Sequence, residues 1–400
     1  MEGELLERYA ELIVGFGANI QPGQLVLVIT STESAPLVRA IAAACYDRGA
    51  LFVDPWWFDP YVKRIRALHA DPSTLEFVPP WYGTRLLELS EAHGSRISIS
   101  PNTPPGLLDG IDPGLAGRDQ LPSLKEHFPV INAKTTNWVV VPWAVPAWAR
   151  VVHPGLDDAE AMARLEEQLV YVLRLDEPDA EAAWTSRIAE LHQIATRIDA
   201  ARFDALHFEG PGTDLTVGLL PTSHFSKDSP GSTTVDGIVH HANLPTEEVF
   251  TAPDPTRTNG VVTATKPLDV SGTEIVGLRV RFEGGHAVSI EADEGAEALR
   301  ARCAMDENAS RLGEVALVDG QGRIGKTNTV FHNTLLDENA ASHLAFGNAY
   351  RATVSPEDYD RINASSIHID FMIGGDEVSV TGVTRDGARV PVLRGGVWQL

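Results

Sequence analysis

Residues 24–57, "QLVLVITSTESAPLVRAIAAACYDRGALFVDPWW", decide how the first half of the chain folds. "QLVLVIT" is a short apolar run behind a Pro22-Gly23 turn, which predicts a buried strand. "SAPLVRAIAAACYDRGA" puts Leu37, Ile41 and Ala44 on one helical face and stops at Gly49. "LFVDPWW" then predicts a second strand. Strand, helix and strand within about 30 residues make a parallel unit. The N-terminal part is therefore expected to be an α/β domain with a parallel sheet. "SRISIS" around Ile97 and "TNWVVVPWAVPAWA" (residues 136–149) are further strand candidates.

Two helices are predicted next. One carries Met162, Leu165, Leu169 and Leu173 on a single stripe, the other Trp184, Ile188, Leu191, Ala195 and Ile198. From about Ala205 the texture changes to alternating Val, Thr and Leu with Gly-rich turns, as in "TDLTVGL" and "GTEIVGLRVRFEGGHAVSIEA". That pattern predicts antiparallel sheet. The expected division is an α/β domain over residues 1–204 and a strand-rich α+β catalytic domain over residues 205–400.

A chain of 400 residues has room for two ordinary cores. Its net charge of -23 argues against sequence-independent nucleic-acid binding and against anionic membranes, both of which would repel it. Two cysteines, Cys45 and Cys303, form neither a disulfide framework nor a thiolate cage. "MEGELLERYAELIVGFG" lacks the basic start and apolar centre of a secretory signal. No apolar run reaches the ~18 residues of a spanning helix. These features predict a cytoplasmic protein.

Chemistry concentrates in the second half. Read as a strand, "SSIHIDFMIGG" (residues 365–375) sends Ile367, Ile369 and Phe371 to one face and His368 and Asp370 to the other. A neutral nitrogen and an anionic oxygen then point the same way, as a metal requires; a paired core His and Asp would read the same. "DENAASHLAFGNAY" (residues 337–350) predicts a helix with His343 and Tyr350 on one face two turns apart. In "LGEVALV", Glu314 shares a strand face with Leu312 and Ala316, where a carboxylate must be paired, protonated or bound to a cation. "NLPTEEVFTAPD" holds Glu247 and Glu248, of which an extended chain can turn only one inward. His240 and His241 stand just before it as candidate outer partners. Carboxylates, two imidazoles and a phenol together form an inventory for two divalent ions.

These blocks resemble the thermophilic-type metalloaminopeptidases, the aminopeptidase T, aminopeptidase S and PepS group. "NLPTEEVFTAPD", "LGEVALV", "NTLLDENAASHLAFGNAY" and "IHIDFMIGG" match in order and spacing, with "FEGPGTDLTVGL" and "WVVVPWAVPAWA" outside them. The resemblance implies two divalent ions, zinc, cobalt or manganese, in the C-terminal domain. It implies Glu248, Glu314, His343, Tyr350, His368 and Asp370 as metal ligands, with Glu248, Glu314 and Tyr350 also catalytic, and Glu248 chosen over Glu247. It further implies a homodimer with an enclosed cavity and a peptide substrate with a free N-terminus. Three departures stand out: His332 where tyrosine is usual, a shorter link from Tyr350 to His368, and an unusual run over residues 232–245, of which the first and third bear on the pocket wall.

The implied reaction is attack of an activated water on the first peptide bond, with Glu247 or Glu338 as proton carrier. A rival of the same fold is a ring-cleaving dioxygenase for dihydroxypyridines, with one iron on His343, His368 and Asp370. It gives no role to Glu248 and Glu314. A second rival is a non-catalytic dimeric scaffold, which would be expected to have lost ligands.

Overall fold

The computed structural model describes residues 1–100, 104, 106–112, 115, 118, 119, 121, 124–226, 231–270 and 272–400. The chain forms two compact units. The first is Met1–Ile188 with Pro230–Thr246, and the second is Ala189–Ser229 with Glu247–Leu400.

In chain order the strands are β1 (Leu25–Ser31), β2 (Phe52–Phe58), β3 (Ser95–Ser100), β4 (Asn137–Pro142), β5 (Phe203–Gly210) and β6 (Thr213–Leu219). Next come β7 (Gly231–Thr233), β8 (Val239–His241), β9 (Glu248–Thr251), β10 (Pro253–Thr263), β11 (Leu268–Val270), β12 (Thr273–Ile275), β13 (Arg279–Glu283) and β14 (His286–Glu291). The last are β15 (Leu312–Val318), β16 (His343–Gly347), β17 (His368–Met372), β18 (Ser379–Thr384), β19 (Arg389–Arg394) and β20 (Val397–Trp398).

In the first unit, the described residues give a parallel sheet in the order β2-β1-β3-β4. The expected strand–helix–strand unit is β1, the helix Ala35–Asp47 and β2. That helix buries Leu37, Val38, Ile41, Ala44 and Cys45. The strand predicted over residues 136–149 is shorter than expected. β4 ends at Pro142, and Pro146 opens a helix, Pro146–Val152. Proline suits the first helical turn because its missing N–H has no intrahelical partner there.

Both predicted amphipathic helices form. Asp158–Val172 is capped by the Asp157 carboxylate, which accepts from the Ala159 and Glu160 N–H groups, and it buries Leu165 and Leu169. Ala180–Ala201 buries Trp184, Ile188, Leu191, Ala195 and Ile198.

The second unit carries an eight-stranded antiparallel sheet in the order β14-β13-β10-β6-β5-β18-β19-β20 and a smaller antiparallel sheet in the order β17-β16-β15-β9. Their apolar faces share one core. Phe208, Leu215, Val217 and Phe282 come from the large sheet, and Val249, Val315, Leu317, Leu344, Phe346 and Phe371 from the small one. Phe346 lies between Phe282 and Phe371, with ring centroids 5.8 and 5.0 Å away. Such stacking adds to the area buried.

The helix predicted over residues 337–350 is not there. A short helix, Thr334–Glu338, ends at that point, and His343 begins β16. Tertiary pairing overrides the Ala- and Leu-rich composition: β16 is laddered on both edges, to β15 and to β17. Gly347, at φ +94, also lets the ladder close, since a Cβ there would lie 2.2 Å from the Ile367 carbonyl oxygen.

Candidate metal centre

The small sheet sorts its side chains by pairing. Glu314 sits opposite Ala345, and Ala345 opposite Asp370; His343 sits opposite Ala316 and Met372; Glu248 sits opposite Val318. Directly paired residues point to the same side. Glu248, Glu314, His343, His368 and Asp370 therefore share one face, with the small Ala316 and Ala345 between them. The alternate residues, Val315, Leu317, Leu344, Phe346 and Phe371, fill the core behind.

One irregularity makes this possible. The register shifts between Leu312 and Glu314, so that Gly313 is a bulge. Leu312 pairs with Phe346 on the core side, which corrects the expectation that it shares a face with Glu314. A Cβ at Gly313 would lie 2.3 Å from the Gly347 carbonyl oxygen and 2.5 Å from that of Asn348. Only glycine fits.

Glu314 is the hub. Its Oε1 lies 3.5 Å from His343 Nε2 and its Oε2 lies 3.6 Å from His368 Nε2. Glu248 Oε2 is 3.1 Å from His343 Nε2, yet it lacks the angle of a hydrogen bond. Asp370 Oδ1 is 3.4 Å from His368 Nε2. Glu248, Glu314 and His343 are close enough to share one ion, and so are Glu338, His343 and Asp370. Tyr350 borders the group, its ring 5.1 Å from that of His368 and 6.1 Å from that of Phe250.

The imidazoles are oriented from behind. His343 Nδ1 lies 3.2 Å from the Ala341 carbonyl and His368 Nδ1 2.8 Å from the Asn348 carbonyl. A carbonyl only accepts, so each Nδ1 donates, and each ring is left with its Nε2 facing the carboxylates. This backbone support is usual behind metal-ligating histidines.

Electrostatics agree. Burial alone would depress the His343 pKa, but the Glu248 and Glu314 carboxylates outweigh it and hold it well above the ordinary value. His368 is likewise depressed by burial yet held up at about 9, chiefly by Asp370. Burial, then the neighbouring Asp370 and Glu248 charges, pushes Glu338 far up. Tyr350 is raised by burial and by the surrounding carboxylates, so its phenol keeps its proton. Fully ionised, the four carboxyl groups gathered here would carry more negative charge than two imidazolium groups neutralise. Two divalent cations with neutral imidazoles would balance it, and this mixed oxygen and nitrogen set suits zinc-like ions.

Of the residues singled out from sequence, Glu248, Glu314, His343, His368 and Asp370 come together, with Tyr350 at the edge. Glu338 joins the group itself, five residues before His343; the helical reading of that stretch hid this closeness. Glu247 is fully buried, its backbone N–H donating to Asn339 Oδ1 at 2.6 Å. His240 and His241 lie in the first unit, against Trp138 and Phe16.

A buried carboxylate–imidazole cluster on one sheet face has the make-up of a divalent-metal centre as a class. The family model for thermophilic metalloproteases (M29) matches residues 2–398. Aminopeptidase T of Thermus aquaticus is 41% identical over 404 residues, covering 99% of this chain and 98% of the relative. Aminopeptidase AmpS of Bacillus subtilis is 36% identical over 98% of both chains. The solved structure of wild-type AmpT from Thermus thermophilus superposes with a TM-score of 0.87 at 39% identity, covering 99% of each chain. The chain belongs to this metalloprotease family and is a metalloaminopeptidase, a hydrolase of the exopeptidase kind.

Proposed function

We propose that the chain removes N-terminal residues from peptides with two adjacent divalent cations, zinc, cobalt or manganese. Glu248, Glu314 and His343 would hold one. Glu338, His368 and Asp370 would hold the other, with Glu314 shared. The observation that carries this reading is the Glu314 carboxylate, whose two oxygens face two different imidazoles.

When bound, the cations supply Lewis acidity, which acidifies a water and polarises the scissile carbonyl. The protein does the rest. Glu314 fixes the separation of the two groups. The Ala341 and Asn348 carbonyls hold His343 and His368 with Nε2 forward. Tyr350, whose ring lies 5.1 Å from that of His368, would complete the ligands of the second cation. The acidic face receives the substrate's free α-ammonium, which limits cleavage to the first residue. A carboxylate that holds no cation carries the proton from the attacking water to the leaving amine.

A mononuclear dioxygenase would need His343, His368 and Asp370 and would leave Glu248 and Glu314 without a task. Family membership also speaks against it and against a non-catalytic scaffold. We further propose a cytoplasmic homodimer that binds neither nucleic acid nor membrane. Among the described residues, no helix is long and apolar enough to cross a membrane, and Cys45 and Cys303 are free buried thiols.

The test is metal content together with hydrolysis of an aminoacyl p-nitroanilide and its N-acetylated analogue. The reading expects two ions per chain, cleavage of the free-amine substrate, and none of the blocked one. One iron per chain and no hydrolysis would refute it.

A further inference from the structure

We propose that Asn339 is the positioning residue that keeps the two cation-binding groups in register, an inference that rests on the two-ion reading above. Asn339 is fully buried. Its Oδ1 accepts from the Glu247 N–H at 2.6 Å. Its Nδ2 donates to the Leu335 carbonyl at 2.8 Å and reaches Glu338 Oε1 at 3.4 Å. One amide therefore spans from the residue before Glu248, at the edge strand of the ligand sheet, to the helix that ends in Glu338.

That link matters because the Glu338 end is not self-supporting, whereas Glu248 is held in the ladder to β15. Thr334–Glu338 has five residues, far too few for a helix to hold itself in water. On its other side Asp337 ties the preceding turn. Its Oδ1 accepts from the Phe331 N–H at 3.0 Å and its Oδ2 from the Asn333 N–H at 3.1 Å, with Lys266 Nζ 3.4 Å away. Asp337 thus anchors the start of the short helix. Asn339 fixes its exit against the strand that carries Glu248. Glu338 lies between the two anchors.

The residue type fits this task. An amide satisfies one donor and one acceptor of the backbone without adding charge. An aspartate would place a further anion beside Glu338 and would have no proton for the Leu335 carbonyl. Asn339 touches no reacting atom in this scheme. It acts through the spacing of Glu248 and Glu338, and so through cation affinity.

The experiment uses the full chain, Zn2+ as probe, and the variants Asn339→Ala and Asn339→Ser. Competition against a chelating dye gives the affinities, a thermal melt in chelator reports the fold, and turnover is followed as free Zn2+ is raised. The proposal expects cooperative melting, two sites still fillable, and both affinities lowered roughly 10–100-fold, as for other outer partners of metal ligands. Activity should return as Zn2+ is raised. Affinities within twofold of the parent would overturn it, as would low activity that Zn2+ does not restore. Loss of cooperative melting in both variants would also overturn it, making Asn339 a folding residue. If the unsubstituted chain binds fewer than two Zn2+, the two-ion reading itself fails, and the proposal with it.

Discussion

His240 and His368 are both histidines with little contact with water, yet their pKa values move in opposite directions. His240, in the first unit, is pushed down to about 3 by burial, helped by the neighbouring His241. Its Nε2 has no hydrogen-bond partner, while its Nδ1 faces the Ser232 carbonyl at 3.2 Å. His368, in the second unit, is held up at about 9 because Asp370 and Glu314 overcome the same burial. Burial alone does not set the charge of an imidazole; the anions within reach do. The sheets differ in the same way. β1 is apolar on both sides and belongs to a plain core, whereas β15, β16 and β17 are apolar on one side and ionisable on the other.

The sharpest way to break this contrast is to remove the shared carboxylate. Glu314→Gln should abolish binding of at least one ion and lower kcat by more than the ~100-fold typical of an outer partner. Metal analysis and peptide turnover check this. Retention of both ions would show that the ligand face does not depend on its hub.

The two faces of one strand offer the next test. Leu344→Ala on the core side should cost about 2–5 kcal/mol of stability and leave the number of bound ions unchanged. Ala345→Val, between Glu314 and Asp370, should cost about 1–3 kcal/mol by overpacking and also weaken ion binding. Denaturant titration in chelator, paired with metal analysis, separates the two.

A smaller effect comes from pH. The folded pKa of His240 lies below its unfolded value near 6.5. Its contribution to stability is therefore full above pH 6.5 and is lost as pH falls toward 3. At pH 5 the loss is about 2 kcal/mol, and His240→Gln should flatten that slope. In chelator-treated protein His368 works the other way: its contribution is full below about pH 6.5 and is lost as pH rises through 9. Equal slopes at the two positions would undo the comparison.

The smallest effect is expected at the surface. Arg300 pairs with Glu297 in the open, and Arg300→Ala should change stability by no more than about 0.5 kcal/mol. Ion binding should be unaffected, as metal analysis would report.

Much of the fold could be read from local pattern. β1, β2, β3, β15 and β17 follow from apolar runs or alternation, and the helices Asp158–Val172 and Ala180–Ala201 from their stripes. What escaped was set by long-range pairing. Residues 337–350 have helical composition, yet β16 forms because two neighbouring strands supply its hydrogen bonds. The Gly313 bulge is invisible to strict alternation, which assigned Leu312 to the wrong face. At the site, His368 and Asp370 were legible because a strand aims i and i+2 together. Glu338 was read only as a candidate proton carrier and Asn339 not as part of the site, since a turn brings them to the group.

The most direct measurement is anomalous scattering from crystals grown with Zn2+. The account predicts two peaks per chain, about 3.5–4 Å apart, each beside a different oxygen of Glu314. A lone peak, or a pair remote from that carboxylate, would contradict it.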